Sequence, residues 1–229
     1  IENKFDVLIK NQSDDFSLIA IQGPESREVL SNILNDKINL KFYTFQQNKD
    51  LIISRTGYTG ELGFELIGKH NIIKKYWELL IQKSVVPCGL AVRDVLRMEM
   101  KYCLYGNDIS INNNPIEAGL HWIVDKDKNQ FIGSDVIKEN FENGPRNKLI
   151  CFQFIDRAIP RSGYKIFYDN KRIGSVTSGT FSIGLQKGIG LGYIDSKFDK
   201  KNIFIEIRSK LYEAKIVRPP FIKSTSLHS

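Results

Sequence analysis

Close to residue 146 the hydrophobic pattern of the chain changes, and the remainder of the sequence leaves few architectures open. From Lys148 the sequence runs KLICFQFI, SGYKIFYDNKRIGSVTSGTF, KGIGLGYI and IFIEIRSKLYEAKIV, short strand-like runs separated by turn residues. That spacing predicts a separate, mainly β C-terminal domain over 147–229.

Upstream the pattern is mixed, so the fold class expected for the whole is α+β, with 1–146 as the other domain. FSLIAI (Phe16 to Ile21) reads as a buried strand; Gln22-Gly23-Pro24 then turns the chain into the helix PESREVLSNIL, with Pro24 in its first turn, where a missing N–H costs nothing. A short strand is expected near Phe42 to Phe45, then LIIS, the Gly-rich connection RTGYTGELG and GFELIG as strand, loop and strand. IIKKYWELLIQK puts Ile73, Trp77, Leu80 and Ile81 on one helical stripe, read as core packing. CGLAVRDVLRMEM (Cys88 to Met100) is a second helical pattern, with apolar contacts from Leu90, Val95 and Leu96 and with Arg93 and Arg97 on one face. YCLYGNDISINNNPIEAGLHWIV reads mostly as loop, ending in a strand around Trp122. Ser134 is the expected cap of DVIKENFE, which Gly144-Pro145 closes.

Composition narrows the partners. Hydrophobic residues at 41% and charged residues at 26% are a globular balance and exclude global disorder. The surplus of 33 Lys and Arg over 26 Asp and Glu, a net +7, favours acidic partners through long-range attraction. Those cations are dispersed, with no block of about five like charges, no zinc-finger spacing and no RNP-type strand, so nucleic acid is not the expected partner. Cys88, Cys103 and Cys151 are odd in number and far apart, and with only 3 His they argue against a disulfide framework or a metal site. No apolar run approaches the roughly 18 residues of a membrane span, and IENKFDVLIKN lacks the features of a secretory signal. A soluble intracellular protein with no membrane partner is expected.

Two Gly-rich stretches invite a phosphate-loop reading. Gly57, Gly60 and Gly63 in RTGYTGELGFE lack a following GK[ST] and lead into a strand, so no helix N-terminus is offered to an anion. GIGLG from Gly188 likewise runs into Tyr193-Ile194 in a β context. What RTGYTGELGFE does offer is the carboxylates Glu61 and Glu65 beside Tyr58, on glycines that permit close backbone approach. A carboxylate matches a planar ligand edge with two parallel N–H donors, such as the amide and amino groups of a pterin. Spacing alone does not select that ligand: a hairpin whose glutamates face water, or a glycosidase-type carboxylate pair, fits the same residues.

Six ordered motifs go further. SRTGYTGELGFEL (Ser54 to Leu66), CGLAVRDVLRMEMKYCLYGNDI (Cys88 to Ile109), NPIEAGLHW (Asn114 to Trp122), IPRSGY (Ile159 to Tyr164), GSVTSGTFSIGLQKGIGLGYI (Gly174 to Ile194) and AKIVRPPF (Ala214 to Phe221) succeed one another along the chain. In order and spacing they resemble the aminomethyltransferase, or T-protein, family of the glycine cleavage system, from Gln22-Gly23-Pro24 to Phe221. The resemblance implies a multidomain folate-binding fold with a barrel-like C-terminal domain. It implies transfer of an aminomethyl carbon from the lipoyl arm of the H-protein to tetrahydrofolate, with tetrahydrofolate as co-substrate and no metal. Carried over position by position, it makes Glu65 the carboxylate for the pterin edge, Tyr58 a lining residue, Arg93 a folate-site arginine, Trp122 an aromatic wall and Tyr105 of YGND a further contact, while Arg97 is assigned to structure.

The family's proton-handling aspartate belongs to an N-terminal part ahead of the matched segment, so no catalytic residue is assigned. A chain that starts at Ile1 and enters the family pattern in mid-domain is expected to be a piece of a longer product. Relatives on the same fold support iron–sulfur cluster assembly and carry K-G-C-Y-x-G-Q-E; here the strip reads Lys101-Tyr102-Cys103-Leu104-Tyr105-Gly106-Asn107-Asp108, without the Gly before the Cys and without Gln-Glu. Cys103 is read as a buried, inert thiol. The basic surplus suits an acidic lipoyl-bearing H-protein and a folate glutamate tail. The expected compartment is the bacterial cytoplasm, or the mitochondrial matrix for a eukaryotic source.

Overall fold

The computed structural model describes residues 5–48, 50–128 and 130–228. It divides into two compact units, Ile1–Gly89 with Ser224–Ser229 and Leu90–Lys223. The chain therefore passes between the units twice, and residues 90–146 group with the β-rich part that comes after them.

The first unit is built on an antiparallel sheet in the order β1-β4-β3-β2, from β1 (Phe16–Gln22), β2 (Phe45–Gln47), β3 (Leu51–Ser54) and β4 (Gly63–Lys69). Helices α1 (Ser26–Leu34) and α2 (His70–Gln82) pack on it. Strand alternation sends Ile21, Leu51, Ile53, Phe64 and Leu66 to one face, where they meet Leu30, Ile73 and Leu80 of the helices. Each such side chain stabilises the unit by about 1.5–3 kcal/mol on full burial, so this face defines its core. The opposite face carries the register rows Leu18–Ile67–Ile52 and Ala20–Glu65–Ser54.

Three local readings shift here. Ser26 N–H donates to the Gly23 carbonyl (3.0 Å), so Pro24 is used in a turn and α1 begins only at Ser26. The segment expected as a strand from Phe42 is a turn in which the Thr44 amide and hydroxyl donate to the Lys41 carbonyl, and the strand starts at Phe45. In α2 the buried stripe is Ile73, Tyr76 and Leu80, while Trp77 is 46% and Ile81 41% exposed. The sequence supports both stripes, and the sheet takes the one rotated by a residue.

The second unit contains α3 (Leu90–Glu99), a 3-10 turn at His121–Ile123, α4 (Ser134–Asn143) and six strands. The strands are β5 (Asn147–Phe154), β6 (Lys165–Tyr168), β7 (Lys171–Ser182), β8 (Lys187–Asp195), β9 (Asn202–Ile207) and β10 (Lys210–Val217). They close into an antiparallel barrel in the order β10-β5-β8-β7-β6-β9. Closure leaves no unpaired sheet edge. Ile150, Phe152 and Phe154 of β5 pack inside with Ile166, Val176 and Ile205, whereas Cys151, one residue out of phase, packs with Met98 of α3, Ile189 and Leu191. The glycines of GIGLG serve this core: a Cβ at Gly190 would stand 2.3 Å from the Phe152 ring. The α+β class and the β-rich C-terminal part are as the sequence indicates. Around Trp122 there is a 3-10 turn and not a strand, Leu90 is 82% exposed, and α4 is preceded by Gly133 in the left-handed region, so Ser134 is its first residue and not its cap.

Candidate functional site

The loop RTGYTGEL, between β3 and β4, is held from inside by two side chains. Gln22, at the end of β1, donates through Nε2 to the carbonyls of Thr56 and Phe64 (3.3 Å each) and accepts from Thr59 Oγ1 (3.2 Å). A Cβ at Gly57 or Gly63 would lie 2.0 or 2.2 Å from Gln22 Oε1. The close approach for which these glycines make room is therefore that of the Gln22 amide, not that of a ligand. Arg55 is buried; its Nη1 donates to the Gly63 carbonyl (3.2 Å) and its Nη2 to the Leu227 carbonyl (2.6 Å). The Phe42 and Phe64 rings each lie 5.6 Å from the guanidinium. Burial, and then the nearby Arg27, lowers the Arg55 pKa from its ordinary value, and Nε finds no hydrogen-bond partner among the described residues.

The two glutamates of the motif part company. Glu61 accepts from the Ser226 amide (3.0 Å) and from the Ser226 hydroxyl, so it holds the C-terminal tail and does not pair with Glu65. Glu65 stands half-buried in β4 on the sheet face away from the helices, between the small side chains of Ala20 and Ser54. Its Oε2 accepts from Thr56 Oγ1, which also bonds Ser54 Oγ (2.8 Å). This hydroxyl pair fixes the carboxylate. Tyr58 is half-buried in the same loop.

The other three sequence-assigned residues belong to the second unit. Arg93 is exposed on α3, Tyr105 is 68% exposed, and Trp122 is 65% exposed in the 3-10 turn, so Trp122 is not a core tryptophan. What presents Tyr105 is a buried network. Asp108, fully buried, accepts from Arg97 Nη1 (2.6 Å), the Leu104 amide (3.0 Å) and Thr177 Oγ1 (2.5 Å), and its carbonyl accepts from Tyr193 (2.9 Å). Arg97 also donates to Asp94 (2.8 Å) and Ser178 (2.9 Å). Thr177 and Ser178 are consecutive, and a bulge in β7 between Val176 and Ser178 lets both hydroxyls reach this one pair. Burial alone would lower the Arg97 pKa, but Asp108 and Asp94 outweigh it and raise it. Arg97 is structural, as assigned. Burial pushes the Cys103 thiol up, away from the reactive range. Among the described residues no group of three or more His, Cys, Asp and Glu could hold a metal ion.

Gln22, Arg55, Asp108 and Ser226 carry no local signal that would have found them, because each acts on a segment remote in sequence or hidden in a loop.

The four-stranded antiparallel sheet unit followed by a closed six-stranded barrel matches the fold of a solved aminomethyltransferase. The model of the GCVT N-terminal domain matches residues 1–128, and that of the glycine cleavage T-protein C-terminal barrel domain matches 147–223. The aminomethyltransferase of Thermosipho melanesiensis is 44% identical over 98% of this chain and 64% of its own length. That of Bacillus subtilis is 40% identical over 95% of this chain and 64% of its own. The crystal structure of the glycine cleavage system aminomethyltransferase T from Bartonella henselae superposes with a TM-score of 0.85 at 34% identity, over 90% of this chain and 60% of that one. The chain belongs to the glycine cleavage T-protein (aminomethyltransferase) family. It spans less than two thirds of the length of these relatives.

Proposed function

We propose that this chain carries the folate side of aminomethyl transfer. The aminomethyl carbon on the lipoyl arm of the H-protein gives up its bonds to sulfur and to the amine nitrogen and forms bonds to two nitrogens of tetrahydrofolate. The products are 5,10-methylenetetrahydrofolate, ammonia and dihydrolipoyl H-protein. A reduced folate is a planar, donor-rich ring on an anionic tail, and it calls for a carboxylate, aromatic faces and a cation. Glu65 takes the pterin edge, Tyr58 and Trp122 its faces, Arg93 its oxygens, and Tyr105 is a further contact; the proton-handling group is left unassigned.

Family membership supports this reading, and the observation in the chain that carries it is Glu65, an outward carboxylate oriented by Thr56 on an otherwise small-residue row. The test is calorimetric titration with tetrahydrofolate, followed by assay of methylenetetrahydrofolate formation from aminomethyl-loaded H-protein. Glu65→Gln keeps the volume and removes the charge, so affinity should fall about tenfold or more with the circular dichroism unchanged. Equal affinity in the variant would put the pterin edge elsewhere, and no binding by the folded wild-type chain would end the folate reading for it.

A further inference from the structure

The last residues of the chain, beyond the barrel in sequence, are part of the first unit. Their contacts there are polar and specific. Ser226 Oγ donates to the Glu61 carboxylate and accepts from the Leu62 amide (2.9 Å), and the Ser226 amide donates to the same carboxylate (3.0 Å). This is a closed reciprocal ring between one tail residue and two loop residues. On its other side Leu62 is equally constrained, because its carbonyl accepts from the Gly23 amide (2.7 Å) and from Ser26 Oγ (3.0 Å). The Leu62 peptide is thus clamped between the tail and the start of α1. One residue further on, Arg55 ties the Gly63 carbonyl to the Leu227 carbonyl. The His228 ring meets Phe42 edge-on at 5.5 Å.

We propose that residues 224–228 are a strap that sets the shape of the 55–63 loop, and that Ser226 and Glu61 are positioning residues for the ligand site at Tyr58 and Glu65. The proposal rests on the folate reading of that site. Its physical basis is the shortness of the path from strap to site. Glu61 and Leu62 adjoin Gly63, which opens the strand holding Glu65, and Thr56 at the other end of the loop bonds the Glu65 carboxylate. Releasing the clamp loosens the Glu61–Leu62 end of the segment that carries Tyr58 between Gly57 and Gly60, and leaves Gln22 and Arg55 to hold the rest of the loop. Ser226 and Leu227 are only half-buried, so the strap adds little to the apolar core.

The experiment uses the whole 229-residue chain and its variants Ser226→Ala, Ser226→Thr and Glu65→Gln. Two quantities are read: hydrogen exchange at the Leu62 amide, and tetrahydrofolate affinity by calorimetry. Ser226→Ala should speed Leu62 exchange and weaken tetrahydrofolate about fivefold, the scale of one lost hydrogen bond. Ser226→Thr, which keeps the hydroxyl, should restore both to within about twofold of wild type. Faster Leu62 exchange with unchanged affinity overturns the positioning role, and unchanged exchange overturns the strap itself. A wild-type chain that binds no tetrahydrofolate overturns the folate reading and the positioning role with it. Glu65→Gln separates the cases: if it abolishes binding while Ser226→Ala does not weaken it, only the strap proposal falls.

Discussion

Each unit buries one arginine at 2% exposure, and the two are accommodated in opposite ways. Arg97 in the second unit sits in a complete ionic network: two aspartates, a serine and the Tyr102 carbonyl use its donors, and the net effect raises its pKa despite burial. Arg55 in the first unit is bonded, among the described residues, only to backbone carbonyls, lies 5.6 Å from each of two phenylalanine rings, and has its pKa lowered by burial. A buried charge without a counter-charge is unfavourable, and a partly satisfied network is less rigid than a complete one. The contrast separates two uses of a buried cation. In the second unit it fastens a loop to a barrel and holds it. In the first it ties together loop and tail through partners that are both main-chain.

The contrast is most vulnerable at Asp108. Asp108→Ala leaves Arg97 buried with only the half-exposed Asp94 as counter-charge, and should cost the second unit about 3–5 kcal/mol. Urea unfolding followed by Trp122 in a Trp77→Phe background should report the loss, while Trp77 in a Trp122→Phe background reports the first unit. A loss below about 1 kcal/mol would mean the network is not what holds YGND to the barrel. Arg55→Met comes next. It deletes no salt bridge, and leaves the Gly63 and Leu227 carbonyls without their donor; the cost to the first unit should be about 1–2 kcal/mol, visible in the Trp77 transition. A cost equal to that of Asp108→Ala would erase the distinction between the two arginines.

The same asymmetry marks how far the sequence can be read. Strands β1, β3, β4 and the barrel strands are legible because alternation and turn residues are local signals, and Arg97 is correctly set aside as structural. The caps at Pro24 and Ser134, the turn at Phe42 and the rotation of α2 are displaced by a residue or two, since a neighbouring turn or a packing face decides among registers that the pattern leaves equivalent. The motif marks Glu65 as a candidate, and the structure adds its hydroxyl partner Thr56. The purpose of Gly57 and Gly63 is not legible, because the side chain they accommodate is Gln22 on another strand. Asp108 reads as part of a polar loop, and its burial rests on tertiary partners remote in sequence, Arg97 on α3 and Thr177 and Tyr193 in the barrel. The tail contact of Glu61 spans 165 residues and has no sequence signature.

A weaker effect distinguishes the two units by pH. Burial pushes the Cys151 thiol from 9.0 up to about 12, and it also raises Cys103 and Tyr193, all three in the second unit. A raised folded-state pKa means the native chain keeps a proton that the unfolded chain releases. The stability linked to it is complete below pH 9.0 and is lost as pH climbs toward about 12. By pH 10 the Cys151 contribution should have fallen by about 1 kcal/mol. The Trp122 transition should therefore move to lower urea between pH 8 and 10 by about that amount, whereas the first unit, whose one cysteine is the exposed Cys88, lacks this source of alkaline sensitivity. Cys151→Ala should remove only part of the slope, because Cys103 and Tyr193 act in the same direction. A Trp77 transition that falls as steeply as that of Trp122 would show that the alkaline loss does not originate in the barrel thiol.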